Sequence, residues 1–298
     1  MHKKIIPPLH RREFLKLAHV TTGIAALEQV DAAQQTRASA GLIDVNVHLS
    51  RWPARRLPCD DASTLVARLR RHGVVEAWAG SFDAILHKDI AAVNAGVAGE
   101  CRRHGRGLLV PIGSINPKLP DWEENLRRCA EEHRMPGIRL YPNYHGYNMD
   151  DPDFARLLRL ATDWRLIVQL AVAMEDERMI HPLLRVKPVD TSALAALVKQ
   201  TPGLRLLLLN ALGRLRGPAL MELINAGQLY VEIATLEGVG GVANLIAQVP
   251  VERVLFGSHA PFFYFESSLL KLKESPLTQE QLRTIQHESA HRLLTKAG

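Results

Sequence analysis

From Leu42 onward the sequence alternates eight times between a short apolar run and a longer run with helical spacing, and few folds accommodate that rhythm. The apolar runs are Leu42–His48, Val74–Gly80, Leu108–Ile115, Gly137–Tyr141, Leu166–Val172, Leu204–Ala211, Leu229–Ala234 and Arg253–Gly257. Between them lie Ala62–His72, Ile90–His104, Trp122–Glu132, Phe154–Asp163, Ser192–Gln200, Pro218–Asn225, Val242–Gln248 and a last segment from Leu269. Gly73, Gly105, Gly203 and Gly227 stand where a helix should stop. Strands separated by helices pair in parallel, because the crossover returns the chain to the same end of the sheet. Eight such units predict an α/β fold, a (β/α)₈ TIM barrel in a single domain. An open doubly wound sheet would want a glycine-rich loop after its first strand, and Leu49-Ser50-Arg51-Trp52-Pro53 has none. The long helix-free segment is expected at Pro142–Asp151.

The N-terminus is not part of this rhythm. His10-Arg11-Arg12-Glu13-Phe14-Leu15-Lys16 resembles a twin-arginine export signal, followed by an apolar stretch from Leu17 to Leu27 and small residues at Ala32-Ala33 and Ala38-Ser39-Ala40. This divides the chain into a signal peptide and linker, residues 1–40, and a barrel domain, residues 41–298, and predicts a periplasmic protein. No apolar run is long enough to span a bilayer, so no membrane association is expected after processing. The net charge is +6, but six basic and three acidic residues fall within the first forty positions, so half of it belongs to the leader. No basic stripe or stacking-aromatic motif accompanies it, which argues against nucleic acid as a partner. Cys59, Cys101 and Cys129 match no zinc or CxxC spacing and read as structural.

Reactive residues of such a barrel come from the C-terminal ends of its strands. The first run ends Asp44-Val45-Asn46-Val47-His48, and alternation places Asp44, Asn46 and His48 on one face with Val45 and Val47 on the other. The fourth run carries Arg139 and leads into Tyr144 and His145. The fifth carries Gln169, the sixth ends at Asn210, the seventh carries Glu232, and the eighth ends Gly257-Ser258-His259-Ala260-Pro261. Polar residues thus converge on one rim. Phe262-Phe263-Tyr264-Phe265 beyond it reads as a lid, an oligomer contact or simple packing.

These runs resemble the amidohydrolase-related TIM barrels of the metal-dependent hydrolase superfamily. Ile43-Asp44-Val45-Asn46-Val47-His48 is similar to their Asp-x-His-x-His start. Leu207-Leu208-Leu209-Asn210-Ala211-Leu212-Gly213 is similar to their sixth strand ending His-x-Gly, and Leu255-Phe256-Gly257-Ser258-His259-Ala260-Pro261 to their Leu-Phe-Gly-Ser-Asp-x-Pro. Pro136-Gly137-Ile138-Arg139-Leu140-Tyr141-Pro142 is similar to their fourth-strand segment. On this match Asn46 replaces the first strand-one histidine, Gln169 the strand-five ligand, and Asn210 the strand-six histidine. His259 replaces the strand-eight aspartate that binds metal and moves protons. Neutral amides bind zinc far less readily than histidine or carboxylate.

The resemblance implies a hydrolase acting on a small carbonyl substrate: a lactone, an amide or a carboxylated ring. Water would attack while His259 or His48 moves the proton and Asn46, Asn210 and Arg139 hold the substrate, with Gln169, Tyr144, His145 and Glu232 as further contacts. Arg139 has two open readings, a substrate-carboxylate anchor or an internal ion pair with Asp44 or Glu232. The cofactor is none or one divalent metal, zinc, with His48 and His259 as its strong ligands. Some relatives are lactonases that need no metal, and the depleted ligand set points the same way. Two alternatives stand beside it: a metal-dependent hydrolase or decarboxylase using His48 and His259, and a catalytically inactive periplasmic ligand-binding barrel. The expected partner is a small-molecule substrate, and a homodimer is the default assembly.

Overall fold

A computed structural model describes residues 41–176 and 178–295; the twin-arginine motif, the rest of the leader and Glu177 lie outside the described residues. Among the described residues stand nine strands: β1 (Leu42–Leu49), β2 (Val74–Ser81), β3 (Leu109–Pro111), β4 (Gly113–Ser114), β5 (Gly137–Leu140), β6 (Ile167–Ala171), β7 (Arg205–Leu209), β8 (Gln228–Glu232) and β9 (Val254–Leu255). Every pairing is parallel, in two sheets, β1-β2-β3 and β4 through β9. The third apolar run is therefore two strands rather than one. The chain changes partner there: Leu109–Pro111 pair with β2, the Ile112 N–H still donates to the Ala79 carbonyl at 2.9 Å, and Gly113–Ser114 pair with β5. The ring closes where the Val45 N–H donates to the Phe256 carbonyl (3.1 Å) and the His48 N–H to that of Ala260 (2.8 Å). The result is a (β/α)₈ barrel.

The helices follow from caps and spacing. In the helix Ala62–Arg71, Leu65, Val66 and Leu69 recur on one face and are buried, while Arg68, Arg70 and Arg71 gather in the last turn. Asp61 accepts from the Thr64 N–H at 2.9 Å, and Gly73, at φ +75°, turns the chain out of the helix. Burying each such leucine or valine contributes roughly 1.5–3 kcal/mol. Around the barrel, Val168, Leu170, Leu206, Leu208 and Val231 pack with the helices. Ile167, Leu207, Leu209, Tyr230 and Leu255 fill the lumen below the site.

Two expectations are corrected. Pro142–Asp151 is not free of helix: Pro142–His145 form one turn, ended by Gly146 at φ +71°. The longer irregular stretch is 172–193, whose described residues hold a single 3₁₀ turn, Pro182–Leu184. Strict alternation also fails on β1. Val47 packs toward the helices, but Val45 joins Ile43 in the lumen cluster. The register against β2 shifts between Asp44 and Val47, a bulge held by the Asn46 N–H on Asp44 Oδ1 at 3.0 Å. Cys101 and Cys129 are free and buried, with thiols pushed up to about 12 by burial. Among the described residues no helix is long and apolar enough to cross a membrane.

Candidate active site

The upper lumen is polar, and almost every polar atom in it is paired. Glu232, fully buried at the end of β8, accepts from the Asn210 N–H at 2.6 Å and from Asn46 Nδ2 at 3.3 Å through Oε1. Its Oε2 accepts from the Ala234 N–H at 2.5 Å. Gly257 is obligatory behind it, since a Cβ there would stand 2.5 Å from that oxygen. Asp44 accepts from the Ser258 N–H (3.0 Å) and hydroxyl (2.5 Å) as well as from Asn46. Burial raises its carboxyl to about 7, with hydrogen bonds from Ser258 and Asn46 pulling the other way, and burial likewise raises Glu232.

Arg139 crosses the lumen from β5, fully buried. Its Nε donates to Gln169 Oε1 (2.7 Å), its Nη1 to the Val47 carbonyl (3.0 Å) and to His48 Nε2 (3.0 Å), and its Nη2 to the Trp78 carbonyl (3.2 Å). Gly80 makes the space: a Cβ there would lie 3.0 Å from Nη1. The expected ion pair does not form: Arg139 hydrogen-bonds neither Asp44 nor Glu232, and its donors are directed to Gln169, His48 and the carbonyls of Val47 and Trp78. The bulge in β1 is the reason, because it turns the Val45 carbonyl to Gln169 Nε2 (3.0 Å) and the Val47 carbonyl to Arg139.

His48 and His259 meet edge to face, ring centroids 5.0 Å apart. Their partners fix their protons. A guanidinium can only donate, so His48 Nε2 accepts and its proton is on Nδ1. A carbonyl can only accept, so His259 Nε2 donates to Met174 O at 2.9 Å and Nδ1 keeps a lone pair. Asn210 Nδ2 lies 3.5 Å from both His259 ring nitrogens and donates to the Ala173 carbonyl at 2.8 Å. Burial first, then Arg139, holds His48 well below the usual histidine range; burial brings His259 down to about 3. Both rings are neutral at neutral pH. Asn210 (φ +54°) and His259 (φ +58°) sit in the left-handed region, a conformation costing about 1–3 kcal/mol that persists where the surroundings impose it.

An aromatic cap covers the pair. His48 stacks on Phe82 at 4.6 Å, His259 stacks on Phe262 at 5.0 Å, and Trp52 meets both phenylalanines edge-on. Arg55 lies over Phe262 and pairs with Glu175 across the mouth. A cavity of about 640 Å³ opens beside this cap, with Asn210 in its floor and Met174, Thr235, Phe263 and Lys271 in its walls. Neither histidine faces that cavity. Asn46, Asn210 and Glu232 are brought together by hydrogen bonds, and the two histidines by ring contact. Tyr144 and His145 stand apart from the cavity: His145 gives Nε2 to the Ala84 carbonyl at 2.8 Å, and Tyr144 packs into the apolar cluster of the cap.

The ligand set that the resemblance offers to a metal does not fit one. His48 Nε2 and Gln169 Oε1 are occupied by one fixed cation, Asn210 Oδ1 by Asn46 Nδ2 (2.9 Å), and His259 Nε2 by a carbonyl. Among the described residues no three His, Cys, Asp or Glu side chains are placed to hold an ion. Sequence reasoning missed Ser258 as the partner of Asp44, the Met174 carbonyl and Lys271. A backbone carbonyl has no signature in sequence, and Lys271 reads as one more charge on the helix Phe265–Lys273.

A family model described as amidohydrolase matches residues 43–296. A comparison with curated proteins finds no match. Among solved structures, a 2,6-dihydroxybenzoate decarboxylase from Rhizobium is similar at 14% identity and TM-score 0.65, covering 87% of this chain and 99% of that one. A 5-carboxyvanillate decarboxylase from Novosphingobium aromaticivorans, with bound manganese, is similar at 13% identity and TM-score 0.65, covering 86% and 97%. A TIM-barrel protein from Bordetella bronchiseptica is similar at 16% identity and TM-score 0.62, covering 86% and 99%. At these identities the likeness carries the fold alone.

Proposed function

Since the chain belongs to the amidohydrolase family and is an enzyme, we propose that it hydrolyses small carbonyl compounds, lactones or amides, carboxylated rings among them, without a metal. The observation that carries this reading is His259: a neutral imidazole with Nε2 tied to the Met174 carbonyl and Nδ1 left as a lone pair, above the floor residue of an open cavity. Burial keeps the ring unprotonated above about pH 3; so weak a base takes a proton from water only as negative charge develops on the attacked carbonyl beside it. Asn210 joins the cavity to the lumen, and Glu232 fixes Asn210 and Asn46 by hydrogen bonds to both. A substrate carbonyl entering from the cavity reaches the histidines once the Phe262 and Phe263 side chains swing aside. In this chain His48 Nε2 is already engaged by Arg139 and Asn210 Oδ1 by Asn46, which favours a reading without the manganese named for the similar 5-carboxyvanillate decarboxylase.

The test is a turnover screen of purified, metal-depleted protein over lactones, esters and amides, with and without a carboxylate. At least one class should be turned over. His259→Asn should lower kcat/KM roughly a hundredfold or more while leaving the melting temperature within a few degrees, because asparagine tolerates the positive φ at this position. Full activity in His259→Asn would refute the assignment, and turnover only after added metal would refute metal independence.

A further inference from the structure

Resting on the hydrolase reading, we propose that Arg139 and His48 form the electrophilic half of the site: Arg139 fixes the His48 proton on Nδ1, and that N–H receives the carbonyl oxygen of the substrate. Arg139 is then the resident cation of this barrel, and the chain has exchanged a metal ion for a guanidinium.

The argument begins with what each group can do. Arginine is not deprotonated in proteins and has five donors and no acceptor. At 3.0 Å from Nη1, His48 Nε2 is held as an acceptor, and the proton of the neutral ring stays on Nδ1. That Nδ1 is buried and has no hydrogen-bond partner. Two residues earlier on the same strand, Asn46 Oδ1 is also buried and unpartnered, because Asn46 has spent its amide on Asn210 and Glu232. An orphan buried donor and an orphan buried acceptor each cost about 1–3 kcal/mol. Such atoms, two residues apart at the end of a barrel strand, point to a ligand carrying both an oxygen to receive a hydrogen bond and a proton to give one. Edge-on to His48, His259 offers the complementary tautomer.

An N–H, a C=O and a lone pair are what the attack of water on a carbonyl requires. Asn46 Oδ1 accepts a hydrogen bond from one O–H of the water, whose proton stays on that oxygen, and His259 Nδ1 takes the other proton as the new C–O bond forms. The π electron pair of the carbonyl moves onto its oxygen, which the His48 Nδ1–H holds. When the pair returns, the bond to the leaving oxygen or nitrogen breaks, and that atom takes from His259 the proton that came from the water. The products are a carboxylic acid and an alcohol or amine, with no co-reactant besides water. His48 touches the substrate and is a catalytic residue; Arg139 acts through it and is a positioning residue. The positive charge behind the ring strengthens the Nδ1–H as a donor in a lumen that excludes water.

The decisive measurement is nitrogen NMR of the histidine rings in uniformly labelled protein, alone and with manganese(II) added in stoichiometric amount. Wild type should show His48 as a single Nδ1–H tautomer and His259 as the Nε2–H tautomer, with neither ring broadened by manganese. Arg139→Met should mix the His48 tautomers and lower kcat by roughly 10²–10³, the range for loss of an oxyanion donor, with KM changed far less. Arg139→Lys keeps the charge but loses the fork, and should fall between them. If neither variant folds, the wild-type spectrum still decides. Turnover by a protein whose His48 carries its proton on Nε2, or whose histidine signals vanish with one equivalent of manganese, would overturn the electrophile and leave a hydrolase. The proposed tautomers with no carbonyl compound turned over would overturn the hydrolase reading, and the electrophile with it.

Discussion

Asp44 and His259 lie in the same buried lumen, and pH acts on their contributions to stability in opposite senses. Burial raises Asp44 from 3.8 to about 7, so between about pH 4 and 7 the native state holds a proton that the unfolded chain has released. Its contribution is full below about pH 4 and is lost as pH rises to about 7. Burial lowers His259 from 6.5 to about 3, so between those values the unfolded chain holds the extra proton. Its contribution is full above about pH 6.5 and is lost as pH falls toward 3. Guanidine unfolding of wild type, Asp44→Asn and His259→Asn from pH 4 to 8 should separate the two. Relative to wild type, Asp44→Asn should gain stability as pH rises through that window, and His259→Asn should gain it as pH falls. Parallel curves for all three proteins would show that neither group is buried as described. At this scale the sequence was readable where a polar residue interrupts an apolar strand, which is how Asn46, His48, Asn210, Glu232 and His259 stand out. It was not readable for Arg139. An arginine on a strand announces a charge, and only the bulge of β1, which no residue type encodes, reveals that carbonyls absorb its donors.

At the level of elements, the short strand ends and their glycines do the positioning. Gly257 stands two residues beyond the end of β9, and the Glu232 carboxylate occupies the place of a side chain there. Gly257→Ala would set a methyl group 2.5 Å from Oε2 and 2.9 Å from the Glu232 Cβ, forcing apart the contact between Gly257 and the end of β8. A loss of about 1–3 kcal/mol in unfolding free energy is expected from such overpacking. Gly213→Ala is the control: its nearest neighbour would be 3.6 Å away, ordinary contact, and a change within about 0.5 kcal/mol is expected. Equal losses in the two variants would contradict the crowding at Glu232. Eight alternating units were legible because period and length distinguish strands from helices. The split of the third run and the helical turn Pro142–His145 were not, since the first is a change of pairing partner and the second a single turn opened by a proline.

For the molecule as a whole, the leader carries a proposal of its own: the chain is exported through the twin-arginine route and works in the periplasm. Arg11→Lys together with Arg12→Lys should leave full-length protein in the cytoplasmic fraction, detected by its unprocessed mass; processed double variant in the periplasmic fraction would dismiss the proposal. The barrel itself is two sheets, and the side chains that cross between them are those of the site. Arg139 on β5 reaches the carbonyls of Val47 on β1 and Trp78 on β2, and Gln169 on β6 reaches that of Val45. The chemistry and the wall therefore share atoms, and this constrains how such a protein changes by mutation. Placing histidines at 46 and 210 adds ligands to a lumen whose cation is already in place. Removing Arg139 first unlatches β1 from β5 before any ion can take over its bonds. Each order passes through a weakened intermediate, so the guanidinium and the amides around it are a set that mutation can leave only together.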